Sequence, residues 1–295
     1  MFFHTLQLQI FQLFHRKHFL ILFTVILFYC LLCNGVYIWE YLHVDYQCLT
    51  SASSIYVGNE RVFLYDVLKI LFPLLVAIPF ATTAVSDRAT GVLPSVMSRT
   101  SLRTFYTTKL IACFIGGFLL FFIPFLINVL INHISFPSSL YLDQITQFNP
   151  LAIERFFSDG TPYQASDSYL FSSVFYWSPF FYNFIYIVIY SAFSGICSSF
   201  CYSTGLFVKK YQYLVCLPLL GFAWGTQILD TMTLGKVEVV NTWRHNLVKD
   251  YYQYLVGGTT GVFYFSPLVL AAYALLLILS TLILVRKKLK LDQFG

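Results

Sequence analysis

Residues 110–131 read LIACFIGGFLLFFIPFLINVLI, an apolar run that contains one polar amide, Asn128, and no formal charge. An α-helix rises 1.5 Å per residue, so about 20 such residues cross a hydrocarbon core roughly 30 Å thick. The run therefore predicts a membrane-spanning helix.

Five other stretches of the chain meet the same condition. They are residues 19–39, 67–85, 179–207, 211–229 and 267–285. Lys69 carries the only formal charge in all six stretches, near enough to one end for its head group to reach the interface. The sequence thus predicts an all-α membrane protein with six transmembrane helices.

The composition excludes most other classes of protein. Of 295 residues, 58% are hydrophobic and 11% are charged, whereas a soluble domain carries roughly 25% charged residues. So few charges leave the surface to be solvated by lipid. A soluble enzyme, a nucleic-acid-binding protein and a disulfide-rich secreted module are therefore not expected.

The loops between the spans differ in charge and so predict the orientation. Residues 1–18, 86–109, 208–210 and 286–295 hold twelve basic and two acidic residues. Residues 40–66, 132–178 and 230–266 hold five basic and eleven acidic residues. Because Lys and Arg are retained in cytoplasmic loops, both termini are predicted to be cytoplasmic.

The first residues alternate in polarity with helical spacing. Residues 1–18 are therefore predicted to form an amphipathic helix in the membrane interface; the alternative is a ragged start of the first span. The apolar positions are Phe3, Leu6, Ile10, Leu13 and Phe14, and the polar ones are Thr5, Gln7, Gln9, Gln12 and Arg16. In the fourth span, the small residues Ser191, Ser194, Gly195, Ser198 and Ser199 favour close helix packing over the wall of a polar conduit.

The chain carries no motif that predicts catalysis. No G-x-x-x-x-G-K-[ST] pattern is present, since Gly235-Lys236 is followed by Val237. The chain has no His-Glu-x-x-His motif, and it has no Cys-His pairing at zinc-binding spacing. We therefore expect no enzyme activity, no metal site and no cofactor in this chain.

The segment after the second span, residues 86–109, reads SDRATGVLPSVMSRTSLRTFYTTK. Asp87, Thr90-Gly91, Ser98-Arg99 and Lys109 stand in the order acidic residue, Ser/Thr-Gly, Ser-Arg and Lys. This pattern resembles the permease subunits of bacterial ABC transporters of the ABC-2 exporter class. The count of six spans, the cytoplasmic termini and the N-terminal helix are similar to that family as well.

The resemblance implies a set of partners and functional residues. It implies a separate ATPase subunit that holds ATP and Mg, a second permease subunit (identical or different) and the bacterial cytoplasmic membrane. Residues 86–109 would be the coupling loop, in which Asp87, Thr90, Gly91, Arg99, Arg103 and Lys109 would couple to the ATPase. Spans two and five would line the pathway, with Thr82, Thr83, Trp224 and Gln227 as lining residues.

The two arginines of the loop allow two interpretations. Arg99 and Arg103 are four residues apart and would share one side of a helix, where they could pair with acidic groups of a protein partner. The alternative is that both bind anionic membrane lipid. The resemblance favours the protein partner.

Uncharged spans rich in Phe and Tyr suit an apolar or amphipathic substrate, because an ion would need polar groups to replace its hydration. The sequence therefore predicts ATP-driven export of an amphipathic or hydrophobic substrate such as an antimicrobial peptide. The alternative function is that of a membrane immunity or sensor protein that binds a peptide toxin without transporting it.

The predicted topology can be tested with reporter fusions. A reporter fused after Lys210 is expected to stay cytoplasmic, and one inserted at Asp159 is expected to be exposed outside, because of the charge difference between the loops. Protease protection of both reporters measures this. The opposite side for either reporter would contradict the six-span topology.

Overall fold

The computed structural model describes residues 2–42, 52, 68, 71–79, 83, 87, 100–136, 174, 177–208, 214–215, 217–221 and 267–294. Five long helices make up most of this part: α1 (Phe2–Phe14), α2 (Lys17–Tyr41), α3 (Leu102–Ser135), α4 (Pro179–Gly205) and α5 (Pro267–Phe294). Every regular element among these residues is helical. The predicted all-α class is confirmed for them.

Three of the helices are long and apolar enough to cross a membrane. They cover Lys17–Trp39, Leu102–Ser135 and Phe180–Gly205, and they correspond to the first, third and fourth predicted spans. The stretches predicted as the second and fifth spans are described in part, with helical residues at 71–79 and 217–221. The total of six spans and the position of the termini stay predictions.

The N-terminal helix is a separate element and not a ragged start of the first span. α1 ends at Phe14, and Arg16 adopts an extended conformation before α2 begins. α1 packs against α3. Gln9, one of the polar positions of the predicted amphipathic helix, is buried. The placement of α1 in the membrane interface stays a prediction.

α3 begins earlier than predicted. The Ser101 side chain accepts a hydrogen bond from the Thr104 backbone N–H at 3.2 Å and caps the helix there. Its 34 residues extend over about 50 Å, so α3 is longer than the hydrocarbon core is thick. The loop predicted over 86–109 therefore ends at Ser101, and residues 102–109 form the first two turns of α3.

α3 is the centre of the described bundle, since it contacts each of the other four helices. Against α4 the helices approach closely at small residues: the Ser194 hydroxyl donates to the Gly117 carbonyl at 3.0 Å, and the Ser199 hydroxyl donates to the Leu110 carbonyl at 3.2 Å. The predicted packing role of the small residues is confirmed for Ser194 and Ser199. A hydrogen bond across two helices also gives each hydroxyl group a partner where lipid offers none.

Aromatic rings fill the core next to this contact. Phe72, from the helical residues 71–79, lies 5.5 Å from the ring of Phe121 in α3 and 5.2 Å from that of Tyr190 in α4. The rings of Phe125 and Tyr190 lie 5.1 Å apart. These contacts fix the stretch after the first span against α3 and α4.

The close approach of α3 and α4 predicts that Gly195 tolerates no side chain. A Cβ atom at Gly195 would lie 2.7 Å from the Phe114 carbonyl oxygen, a backbone atom that cannot move alone. Gly195→Ala is expected to destabilise the folded chain by about 1–3 kcal/mol through overpacking. Thermal unfolding in detergent, followed with a thiol-reactive dye at the buried cysteines, measures the effect.

Gly35→Ala is the matched control, because a Cβ atom at Gly35 in α2 meets no atom within 4 Å. The control gains the same helix propensity without the clash. If Gly195→Ala unfolds at the same temperature as Gly35→Ala, the tight α3–α4 contact is not present in solution.

Candidate functional site

A buried cluster of three charged residues joins separate parts of the chain at one end of the bundle. The Arg16 guanidinium lies 2.9 Å from Asp87 Oδ1, and Lys109 Nζ lies 2.7 Å from Asp87 Oδ2. The side chains of Arg16, Asp87 and Lys109 are 24%, 10% and 4% exposed. We call these three residues the ion triad.

Each member of the ion triad is positioned by a different element. Arg16 stands at the break between α1 and α2. Asp87 is helical and lies just beyond the stretch predicted as the second span. Lys109 lies in α3, two turns after its start, and its ammonium group is 5.9 Å from the centre of the Phe105 ring. The triad thus fastens the N-terminal helix and the end of the second stretch to α3.

The positive and negative charges of the triad do not balance. One carboxylate faces two cations, so the cluster retains one net positive charge. Lys109 is the most deeply buried member, and removal of a partner from a buried ion leaves an uncompensated charge that is strongly destabilising. Asp87 is therefore the residue on which the burial of Lys109 depends.

A second polar cluster ties the last helix to the same part of α3. The Tyr106 hydroxyl donates to Asp292 Oδ2 at 2.8 Å, and Lys288 Nζ lies 2.5 Å from Asp292 Oδ1. Tyr106 is one of the largest fully buried side chains in the described part of the chain. The first two turns of α3 thus hold the chain's N-terminal helix, the segment around Asp87 and the end of α5 together.

The structure brings two of the predicted coupling residues together, Asp87 and Lys109. Arg103 is exposed near the start of α3. Ser101, two residues before it, is extended and caps α3. Thr90, Gly91 and Arg99 lie outside the described residues.

Among the predicted pathway residues, Thr82, Trp224 and Gln227 also lie outside the described residues. Thr83 is completely buried and hydrogen-bonds to Cys113 of α3, one turn beyond Lys109. Its lining role stays a prediction. In the described part of the chain, no three His, Cys, Asp or Glu side chains are grouped so that they could hold a metal ion.

A chain of buried amides was not anticipated from the sequence. Asn128 Nδ2 donates to Asn34 Oδ1 at 2.5 Å and to the Cys30 carbonyl at 3.3 Å, and Asn132 Nδ2 donates to Asn128 Oδ1 at 3.4 Å. These bonds link α2 to α3 at membrane depth. The signal was available, since Asn128 and Asn132 are one helical turn apart in an otherwise apolar run.

The ion triad predicts a large effect of Asp87→Asn. The change leaves Lys109 buried without an anion, and the loss of one partner from a buried pair costs about 3–5 kcal/mol. The double variant Asp87→Asn/Lys109→Met is expected to recover part of this loss, because the buried cation is gone and the more exposed Arg16 can reach water. Thermal unfolding in detergent measures both.

Asp292→Asn serves as the control, since its ion pair with Lys288 is more exposed and such pairs contribute about 1 kcal/mol or less. An equal loss of stability in Asp87→Asn and Asp292→Asn would contradict the special role of the triad. So would a double variant that is less stable than Asp87→Asn alone.

The chain matches no family model, and it shows no match to the curated proteins or to the solved structures. The resemblance to ABC-2 permeases therefore depends on the residues of the segment 86–109 and on the predicted arrangement of the spans.

Proposed function

We propose that the chain is the membrane-spanning permease subunit of an ATP-driven transporter of the ABC-2 exporter class, and that a separate ATPase subunit supplies the energy. The observation that carries the proposal is the ion pair between Asp87 and Lys109, with Lys109 Nζ 2.7 Å from Asp87 Oδ2. These two residues are the first and last members of the motif that resembles the coupling segment of such permeases.

The ion pair joins the first and the last residue of the motif, Asp87 and Lys109. The side chains of Asp87 and Lys109 are in contact, so the two ends of the motif lie together at one point of the bundle. Arg16 holds the same carboxylate from the other side. A segment anchored in this way presents its exposed residues to a partner from a fixed base.

The anchored segment is mechanically connected to the rest of the bundle. Its second end is α3 itself, and α3 packs against α1, α2, α4 and α5. A partner that moves the segment therefore acts directly on the central helix. This is the property that coupling of ATP hydrolysis to a membrane pathway requires.

Arg103 supplies a group by which a partner could be recognised. It is exposed and belongs to the basic segment, and the described residues form no salt bridge with it. A guanidinium suits forked contacts with carboxylates. The complementary surface on the ATPase subunit is thus expected to be acidic.

The proposed substrate is an amphipathic or hydrophobic molecule such as a peptide. Beyond Lys109, the buried side chains that the structure describes in α3 and α4 are aromatic, aliphatic or uncharged polar groups. A second permease subunit would complete the pathway. The outward faces of α2 and α5 carry many exposed apolar side chains, which suit contact with lipid or with that subunit.

The proposal predicts a specific loss of coupling. The tagged chain, purified from its native membrane, is expected to bring down an ATPase with a Walker A motif, and the chain alone is expected to show no ATP turnover. Arg99→Glu/Arg103→Glu is expected to abolish the stimulation of the ATPase while the chain stays folded in the membrane. Truncation or reversal of a charge at the centre of an interface costs about 2–5 kcal/mol, far more than at its rim.

Lys17→Glu is the control, a charge reversal at an exposed residue outside the segment. ATP turnover by the isolated, uncontaminated chain would overturn the proposal, and so would full stimulation of the ATPase by the Arg99→Glu/Arg103→Glu variant. Recovery of a peptide toxin in place of any ATPase would favour an immunity or sensor protein instead.

A further inference from the structure

A groove of about 340 Å³ opens between α3, α4 and α5. Its walls include Leu110 and Phe114 of α3, Ile196 of α4, and Ile278 and Leu282 of α5. The volume falls within the range of roughly 300–1,000 Å³ that small-molecule sites occupy. An apolar ligand of modest size therefore fits here.

The polar atoms of the groove are directed away from a ligand. The hydroxyl groups of Thr107, Ser199 and Thr281 each donate to a backbone carbonyl, at 2.8, 3.2 and 2.7 Å respectively. A hydroxyl has one hydrogen to donate, so these walls offer no hydroxyl donor to an occupant. The groove suits a hydrocarbon chain better than a polar molecule.

Two arginines continue the walls toward the basic end of the bundle. Arg103 precedes Thr107 by one turn in α3, and Arg286 follows Leu282 by one turn in α5, so each lies on the groove side of its helix. Both are exposed, and neither forms a salt bridge with the described residues. An apolar groove with a cation one turn beyond its lining residues on each of two helices is complementary to a lipid that carries a negative head group.

We infer that this groove binds an acyl chain of an anionic phospholipid, whose phosphate contacts Arg103 and Arg286. Basic pockets between transmembrane helices on the cytoplasmic side attract anionic head groups for the same electrostatic reason. The lipid phosphate and the acidic surface expected on the ATPase subunit would compete for Arg103, so the inference concerns the chain without a bound ATPase.

The test uses the full chain, purified without any ATPase and reconstituted in vesicles of phosphatidylcholine. A trace of phosphatidylglycerol or of phosphatidylcholine with a photoreactive group on its acyl chain is added. Irradiation is expected to label the peptides around residues 107–114 and 278–282, and phosphatidylglycerol is expected to label them more strongly than phosphatidylcholine.

The variants separate the head group from the acyl chain. Arg103→Gln and Arg286→Gln are each expected to lower the preference for phosphatidylglycerol by about fivefold, the equivalent of about 1 kcal/mol per basic residue. Leu282→Trp, which fills the groove, is expected to reduce labelling by both lipids. Lys287→Gln is the matched control. It is expected to leave the preference for phosphatidylglycerol unchanged, because Lys287 is exposed on the side of α5 opposite to Ile278.

Three results would overturn the inference. One is equal labelling of the groove by both lipids in the unaltered chain. Another is an equal effect of Arg286→Gln and Lys287→Gln. The third is a groove already occupied by protein, shown by crosslinks from a photoreactive residue at Leu282 to residues 211–229 or to a second copy of the chain. None of these results bears on whether an ATPase binds, so the inference and the proposed function can fail separately.

Discussion

Asp87 places one negative charge between two cations that are largely removed from water, and the arrangement of the described helices at this end of the bundle follows from that constraint. A buried ammonium group such as that of Lys109 is tolerated only beside an anion. The anion comes from the segment after the second predicted span, and the same anion also binds Arg16 at the break between α1 and α2. Two distant parts of the chain, the break between α1 and α2 and the position of Asp87, are thereby brought to α3.

The same helix organises the bundle away from the charges. Between α3 and α4 the contact is made by Gly117, Ser194 and Gly195, where the absence or small size of side chains lets the backbones approach. Towards α2 it is made by the amides of Asn34 and Asn128. Lipid tails are as apolar as leucine, so the hydrophobic effect does not select between helix neighbours inside a membrane. Close packing and interhelical hydrogen bonds therefore select the neighbours of a helix, and α3 makes contacts of both kinds.

The sequence alone predicts the helices well and their contacts poorly. The apolar run 110–131 identifies α3, because length and lack of charge are local properties of a sequence. It does not reveal the start at Leu102, since residues 102–109 include two basic residues and three threonines, and the helix is capped by Ser101 and packs against α1. Lys109 was recognisable as a special residue from the motif. Its pairing with Asp87 and Arg16 was not, because it depends on tertiary contacts over long sequence separations.

The basic residues at this end of the bundle are of two kinds, buried and paired or exposed and unpaired among the described residues. A count of charges along the sequence does not separate them. Arg103 and Lys109 are six residues apart in α3, so they lie on different sides of the helix. Lys109 faces inward, is neutralised by Asp87 and contributes to the fold. Arg103 is exposed one turn before the groove residue Thr107, and it forms no salt bridge with the described residues. A cation of the first kind tolerates little change in its surroundings, whereas one of the second kind can exchange partners. The exposed arginines are thus the groups to which the two proposals assign recognition, and the buried ion triad fixes the start of α3, where Arg103 stands.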